Sequence, residues 1–236
     1  SKMKNKLSRI HIIGAGISGL IAAQVLENYG YKPTIIEGSN SVGGRVKSDL
    51  VEGYLLDRGF QVLLTSYPAA KKYLDFDALK LQKLLPGATI FKNGKSQTIG
   101  DPLRSFSLLF PTLFSSIGTF SDKLKILKLN VLLKKKEIDT IFKEDEKTTL
   151  QYLIDVGFSE EMIQTFFKPF FSGIFLEPNL DTSSRMFEFV YKMFGEGLAV
   201  VPKAGIQAIS NQLKDNLKNT KILLNSEVES VKNKGI

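Results

Sequence analysis

Short apolar runs punctuated by glycine open the chain, and a longer helical periodicity fills its middle. Ile10, Ile12 and Ile13 make a first apolar strand, Leu20, Ala22, Ala23, Val25 and Leu26 a helix, and Thr34, Ile35 and Ile36 a second strand. Residues 46–58 alternate as a hairpin around Glu52-Gly53, and ATIFKNGKSQTI (88–99) as a second around Asn93-Gly94. Residues 66–76 read as helix. From 103 to about 194 the pattern is helical, with Leu124, Leu127 and Val131, then Met162, Phe166 and Phe170, recurring at helical spacing. Ser159 and Thr182 are the expected N-caps, and Pro169 is expected to kink or end the helix it follows. Residues 198–202 read as a connector into the sheet region, Gly205 as the start of a helix to about 217, and 221–224 and 227–232 as strands. This order predicts an α/β domain in two segments, 1–65 and 199–236, interrupted by an insertion over 66–198.

The turn after the first strand carries the chemistry. Gly14, Gly16 and Gly19 stand in G-x-G-x-x-G spacing, and Glu37 closes the second strand. Gly14 permits a tight turn, Gly16 leaves the backbone bare for a pyrophosphate, and Gly19 lets the helix pack close to the strand. The helix start offers unpaired N–H groups and a partial positive charge to phosphates. A carboxylate at Glu37 can accept both hydroxyls of an adenosine ribose. The arrangement reads as a dinucleotide site, against a glycine turn with no ligand.

A second motif separates FAD from a nicotinamide cofactor. Gly43, Gly44 and Arg45 follow Glu37 closely. Two glycines let the chain pass near a diphosphate, and a guanidinium can clamp its charge with forked hydrogen bonds. A nicotinamide dehydrogenase has no need of this feature.

GAGISGL, Glu37, GGRV and LLDRGFQVL together resemble the N-terminal half of the FAD-dependent amine oxidase superfamily, which includes protoporphyrinogen oxidases, monoamine oxidases and phytoene desaturases. VVPKAGIQAISNQL (200–213) is similar to the family's proline–glycine segment that re-enters the FAD domain, and ILLNSEVESV (222–231) to the strand after it. The stretch 166–194 looks most like the desaturase and protoporphyrinogen-oxidase branch. The resemblance implies a partial Rossmann-like FAD-binding domain of the GR2 type with an inserted, mostly helical substrate domain. It implies that Gly14, Ala15, Gly16, Ile17, Ser18 and Gly19 line the pyrophosphate and that Glu37 holds the ribose. Gly44 and Arg45 would flank the diphosphate and ribityl chain. Gly59, Phe60, Gln61 and Val62 would lie near the isoalloxazine, and the Val228 backbone would meet the adenine edge. Family members run well beyond residue 236, so the chain is expected to be an N-terminal portion of such an enzyme.

Composition removes other chemistries. The chain has no cysteine and a single histidine, His11. Thiol nucleophiles, thiolate zinc sites and a cysteine-linked flavin are thereby excluded from this segment. His11 lies on the first strand, where it is expected to be a buried packing residue rather than part of a triad. No metal site is expected, and a borrowed cofactor, FAD, is left as the agent.

The net charge is +8, and Lys123, Lys125, Lys128, Lys134, Lys135 and Lys136 hold much of the excess. They follow the apolar stretch 103–120. This reads either as a solvated helix face or as a contact for an anionic membrane surface. Nucleic acid is not an expected partner, because no aromatic residues interleave the basic run. With no visible signal peptide or uninterrupted span, a cytoplasmic location is expected, with membrane association as an open addition.

Seventeen phenylalanines and no tryptophan make the aromatic usage lopsided. They serve either as core between helices or as the wall of a tunnel for a bulky apolar substrate. The favoured function is an FAD-dependent oxidoreductase that dehydrogenates a small hydrophobic substrate of the desaturase, porphyrinogen oxidase or amine oxidase type by hydride transfer to flavin. A nicotinamide-dependent dehydrogenase and a non-catalytic dinucleotide-fold scaffold or peripheral membrane module are the alternatives. No catalytic residue stands out. Arg58 either meets a substrate carboxylate or pairs with Asp57, and Tyr54 and Tyr191 are candidate polar handles.

Overall fold

A computed structural model describes residues 9–59, 61–84, 87–100 and 116–232. The elements begin with β1 (His11–Ile13), α1 (Ile17–Asn28), β2 (Thr34–Ile36), β3 (Ser48–Val51), β4 (Tyr54–Asp57) and β5 (Leu63–Leu64). Next come α2 (Pro68–Tyr73), α3 (Phe76–Leu79), β6 (Leu81–Lys83), β7 (Gly87–Lys92) and β8 (Lys95–Gly100). The helical stretch holds α4 (Phe120–Lys135), α5 (Ile138–Lys143), α6 (Thr149–Val156), α7 (Glu160–Met162), α8 (Lys168–Phe175) and α9 (Ser184–Glu196). The chain then runs through β9 (Ala199–Pro202), α10 (Gln207–Asp215) and β10 (Lys221–Leu223). Sheets and helices thus combine in an α/β arrangement that divides into two compact units.

The first unit comprises Ser1–Gln61, Pro68–Gln82 and Val201–Ile236. Its sheet is wholly parallel in the order β1-β2-β10, with Ile12, Ile35 and Ile222 in register. Parallel neighbours need crossovers, and α1 supplies the one between β1 and β2. Leu20, Ala23 and Ile35 are fully buried at this layer. His11 and Ile13 are exposed, which corrects the expected buried first strand. The reason is position: β1 is the outer strand, bonded on one side, while β2 sits between two neighbours. Residues 227–232 form no strand, also contrary to expectation. The hairpin expected over 46–58 forms between Ser48 and Asp57, Leu50 opposite Leu55, and the turn residues Glu52 and Gly53 take the positive φ that such a two-residue turn requires.

The second unit comprises Val62–Tyr67 and Lys83–Val200. The Asn93-Gly94 hairpin forms, with Phe91 opposite Ser96. β5 pairs with β9 through Leu63 and Val200. The core gathers Ile126, Leu129 and Leu133 from α4, Leu153 from α6, and Phe167, Phe171 and Phe187. Ring centroids of Phe171 and Phe187 lie 4.8 Å apart, and those of Phe158 and Phe167 4.7 Å. Each buried phenylalanine removes enough apolar surface from water for about 1.5–3 kcal/mol. These rings are therefore packing residues. Phe106, Leu108, Leu109, Phe110, Leu113 and Phe114 lie outside the described residues.

Pro169 neither ends nor breaks its helix. A π-helical turn, Ile163–Phe167, leads into α8 with Phe167 and Lys168 in helical conformation, so the helix runs on through Pro169 and its irregularity falls in the turn just before the proline. Ser159 caps α7 as expected, accepting from the Met162 N–H at 3.2 Å. The cap of α9 is Ser183 and not Thr182. Both the N–H and the hydroxyl of Thr182 donate to Glu177 instead.

The lysine cluster divides. Lys136 turns inward, pairing with Glu188 at 2.7 Å and Glu144 at 2.6 Å. Lys123 is buried, whereas Lys128, Lys134 and Lys135 are exposed. Lys192 of α9 donates to the Leu133 and Lys134 carbonyls at the end of α4, where a cation is favoured. Among the described residues no helix is long and apolar enough to cross a membrane.

Candidate functional site

The site lies in the first unit, where three segments meet at the carboxyl ends of the parallel strands. Gly14 leaves β1 with φ +96° and gives its N–H to the Ile36 carbonyl at 2.8 Å, which ties the turn to β2. A Cβ on Gly19 would lie 2.1 Å from the Gly14 carbonyl oxygen, so the turn closes only with glycine there. Gly16 caps α1 without any side-chain hydrogen bond, and the first turn of α1 carries no acid. Its N–H groups are thus left to an outside acceptor. Ala15 is buried, Ile17 half-buried and Ser18 exposed.

The second glycine motif lies against the first. The Gly43 N–H donates to the Ala15 carbonyl at 2.8 Å, and Gly43 bridges Gly16 in parallel. A Cβ on Gly44 would stand 3.2 Å from the Gly16 Cα. Arg45 is exposed beside them, and its carbonyl accepts from Gln61 Nε2 at 2.6 Å.

Glu37 turns toward the glycine turn. Its Oε2 accepts from the Ala15 N–H at 2.6 Å and its Oε1 from the Ser39 N–H at 3.0 Å. Burial acts against its charge. The Ala15 and Ser39 donors and the charge of Lys47 outweigh that and hold its pKa below the ordinary carboxylate value. The segment after β10 runs along this turn: the Ser226 N–H donates to the Glu37 carbonyl and the Asn225 N–H to that of Ser39. Val228 follows on the same segment, half-buried.

Gly59 and Gln61 end the first part of this unit, Phe60 lies outside the described residues, and Val62 is the first residue of the second unit. Arg58 pairs with neither a pocket nor Asp57. Its guanidinium makes a forked bond to Asp49 at 2.7 and 2.8 Å on the surface. Asp57 is already engaged by the Ser48 hydroxyl and the Ile206 N–H. Tyr54 is exposed, and the Tyr191 hydroxyl donates to Asn130 Oδ1.

Four supporting residues went unnoticed in the sequence. Gln207 Nε2 donates to the Val42 carbonyl at 2.9 Å, and the Ser210 hydroxyl to the Val46 carbonyl at 3.1 Å. Together they brace the Gly43–Gly44 segment from α10. Ser39 and buried Lys47 sit beside Glu37, joined by a 3.0 Å hydrogen bond. Lys47 lies two residues beyond the second glycine motif, outside any pattern that the motif defines. Among the described residues no cluster of histidine and carboxylates could hold a metal ion.

These features fit a dinucleotide that carries a diphosphate. Bare backbone meets bare backbone at Gly16 and Gly44, an uncapped helix start faces it, and an ionised carboxylate adjoins. Comparison with known proteins agrees. Protoporphyrinogen oxidase 2 of Arabidopsis thaliana is 26% identical over 169 residues, 70% of this chain and 32% of its own length. L-amino-acid oxidase of Daboia russelii is 30% identical over 167 residues, 66% of this chain and 33% of its own. This chain therefore spans about a third of the length of these relatives. An oxidoreductase from Methanosarcina mazei shares the fold with a TM-score of 0.62 at 20% identity, over 92% of this chain and 51% of that one. Putrescine oxidase does so at 0.59 and 19%, over 92% and 50%. The model of flavin-containing amine oxidoreductases matches residues 17–235, with FAD as the cofactor that this family implies. With nearly all of its length inside that match, the chain belongs to the flavin-containing amine oxidoreductase family.

Proposed function

We propose that this chain forms the FAD-binding part of an oxidoreductase that dehydrogenates a small hydrophobic substrate. The observation that carries the reading is the meeting of Gly16 and Gly44 beside an uncapped helix start. Gly14 to Gly19 would line the pyrophosphate, with donors from the start of α1 beyond Ala15 because the Gly14 and Ala15 N–H groups are already bonded to Ile36 and Glu37, with Gly43 and Gly44 opposite and Arg45 supplying the guanidinium. Glu37 would accept the ribose hydroxyls. Its oxygens already hold one backbone donor each, and a carboxylate oxygen can accept a second. Gly59, Phe60, Gln61 and Val62 would lie toward the flavin ring, and Val228 toward the adenine. Bound FAD would supply the acceptor for a hydride equivalent, and the protein would position the substrate and exclude water. The inserted second unit, mostly helical, would be the substrate domain. The relatives' names span protoporphyrinogen and amino acids, and the resemblance of the stretch 166–194 to the desaturase and protoporphyrinogen-oxidase branch favours the hydrophobic class.

Titration of the whole chain with FAD, read by quenching of flavin fluorescence, tests this. Saturable binding is expected, with no comparable affinity for NADH. Glu37→Ala should cost about 1–3 kcal/mol of that binding, the worth of charge-assisted hydrogen bonds. Absence of FAD uptake, or NADH preferred over FAD, overturns the reading.

One face of α4 supports an addition, contact with an anionic bilayer surface. Phe120, Leu124, Val131 and Leu132 are 46–68% exposed on this helix, and Lys128 and Lys135 stand among them. The acid of α4, Asp122, is buried. Exposed apolar side chains interleaved with lysines and free of acids complement anionic lipid headgroups.

A further inference from the structure

Lys47 begins the approach to β3 two residues after Arg45 and is only 7% exposed. Its Nζ donates to the Ser39 hydroxyl oxygen at 3.0 Å. Ser39 passes the link on: its N–H donates to Glu37 Oε1 at 3.0 Å, and its hydroxyl donates to the Ser41 carbonyl at 2.9 Å. Burying an ammonium costs free energy unless nearby acceptors and anions replace water.

Two carboxylates feel the Lys47 charge, Glu37 and Asp49. Asp49 is already held by Arg58 in a forked pair. Glu227 is the remaining acid beside the turn, its Cα 3.8 Å from where a Cβ on Gly38 would stand. Glu37 is therefore the carboxylate whose partner, through Ser39, is Lys47.

We infer that Lys47 is a positioning residue for the cofactor's ribose: through Ser39 it holds the Glu37 carboxylate turned toward the glycine turn. The inference rests on the FAD reading above. It assigns a role to a side chain outside both glycine motifs. Ionised Glu37 accepts hydroxyl protons on both oxygens, whereas the protonated acid loses acceptor capacity. Removing Lys47 takes away one of the influences that lower the Glu37 pKa, beside the Ala15 and Ser39 donors, so that pKa should rise. The acid loss of FAD affinity would then begin at higher pH.

The test measures the FAD dissociation constant by flavin fluorescence from about pH 4 to about pH 8, spanning the ordinary carboxylate range. Lys47→Met should weaken FAD about tenfold at neutral pH, the loss of one charge-assisted link, and shift the acid limb upward. Lys47→Arg should keep both affinity and profile near those of the unaltered chain. In a Glu37→Gln background, Lys47→Met should have little further effect. Where circular dichroism shows that Lys47→Met does not fold, Lys47→Gln removes the charge while retaining a donor to Ser39 and should give the same shift. An unchanged profile overturns the inference. So does a loss that is uniform across pH and additive with Glu37→Gln, because Lys47 would then act on the fold or directly on FAD. An unaltered chain that takes up no FAD refutes the cofactor reading itself and the inference with it, so the two failures are distinct.

Discussion

Gly44 faces Gly16 so closely that a Cβ on Gly44 would stand 3.2 Å from the Gly16 Cα, although 27 residues of helix, strand and loop separate them. Two glycine motifs that sequence presents in series are, in space, the two sides of one crevice. The parallel bridge of Gly16 with Gly43 and the Gly43 N–H bond to Ala15 fix their spacing.

The two glycines should respond differently to one added methyl group. Gly16 has ordinary negative φ at −70°, and a Cβ there meets only the Gly44 Cα at 3.9 Å. Gly16→Ala should fold with a melting temperature near that of the parent, yet lose FAD affinity by about 1–3 kcal/mol as the diphosphate is held off the backbone. Gly44 has φ +60° and the tighter contact. Gly44→Ala should cost about 1–2 kcal/mol of stability from the left-handed backbone alone. Thermal melting beside FAD titration separates the two. Equal melting losses would mean that the Gly16 backbone is not the free surface described here.

What sequence revealed of this site was local. Strand, turn, helix, strand and acid lie within thirty residues, and each has a pattern that periodicity or motif can detect. The braces were illegible for the opposite reason. Gln207 reaches Val42 over a separation of 165 residues and Ser210 reaches Val46 over 164, and no short pattern encodes either. Lys47 reads as solvated, like most lysines; it is buried because Ser39 accepts from it. His11 reads as core because apolar residues flank it, but its strand lies outermost in β1-β2-β10. Adjacency in sequence offers Asp57 to Arg58. The hairpin register sets Ser48 opposite Asp57 and brings Asp49 within its reach instead.

Asp122 should be the most costly carboxylate of the second unit to remove. It is 1% exposed and serves two helix starts. Its Oδ2 accepts from the Thr119 N–H at 2.7 Å and from the Ser159 hydroxyl at 2.5 Å, and its Oδ1 from the Ser159 N–H at 2.8 Å. Asp122→Ala leaves buried donors unsatisfied and should lower stability by about 3 kcal/mol. Burial opposes the charge of Asp122, but the Ser159 and Thr119 donors prevail and set its pKa below the ordinary value. A depressed carboxylate pKa gives stability that is present above the unfolded-state pKa and is lost as pH falls through the folded one. Urea denaturation should therefore show stability declining below about pH 4 in the parent, and declining less in Asp122→Ala. A parallel decline in both would remove Asp122 as a source of the acid sensitivity.

The exposed face of α4 offers the last measurement. Vesicles of phosphatidylcholine with about one-third phosphatidylglycerol should bring the chain down on sedimentation, while phosphatidylcholine alone should not, since each lysine near an anionic surface is worth about 1 kcal/mol. Binding should weaken as salt is raised, because screening shortens the reach of exposed charges. Lys128→Glu with Lys135→Glu reverses two charges on the face without touching the inward pairs of Lys136 or Lys192. That variant should keep its melting temperature and its FAD affinity while losing sedimentation with anionic vesicles. Equal sedimentation of parent and variant would mean that this face does not meet lipid.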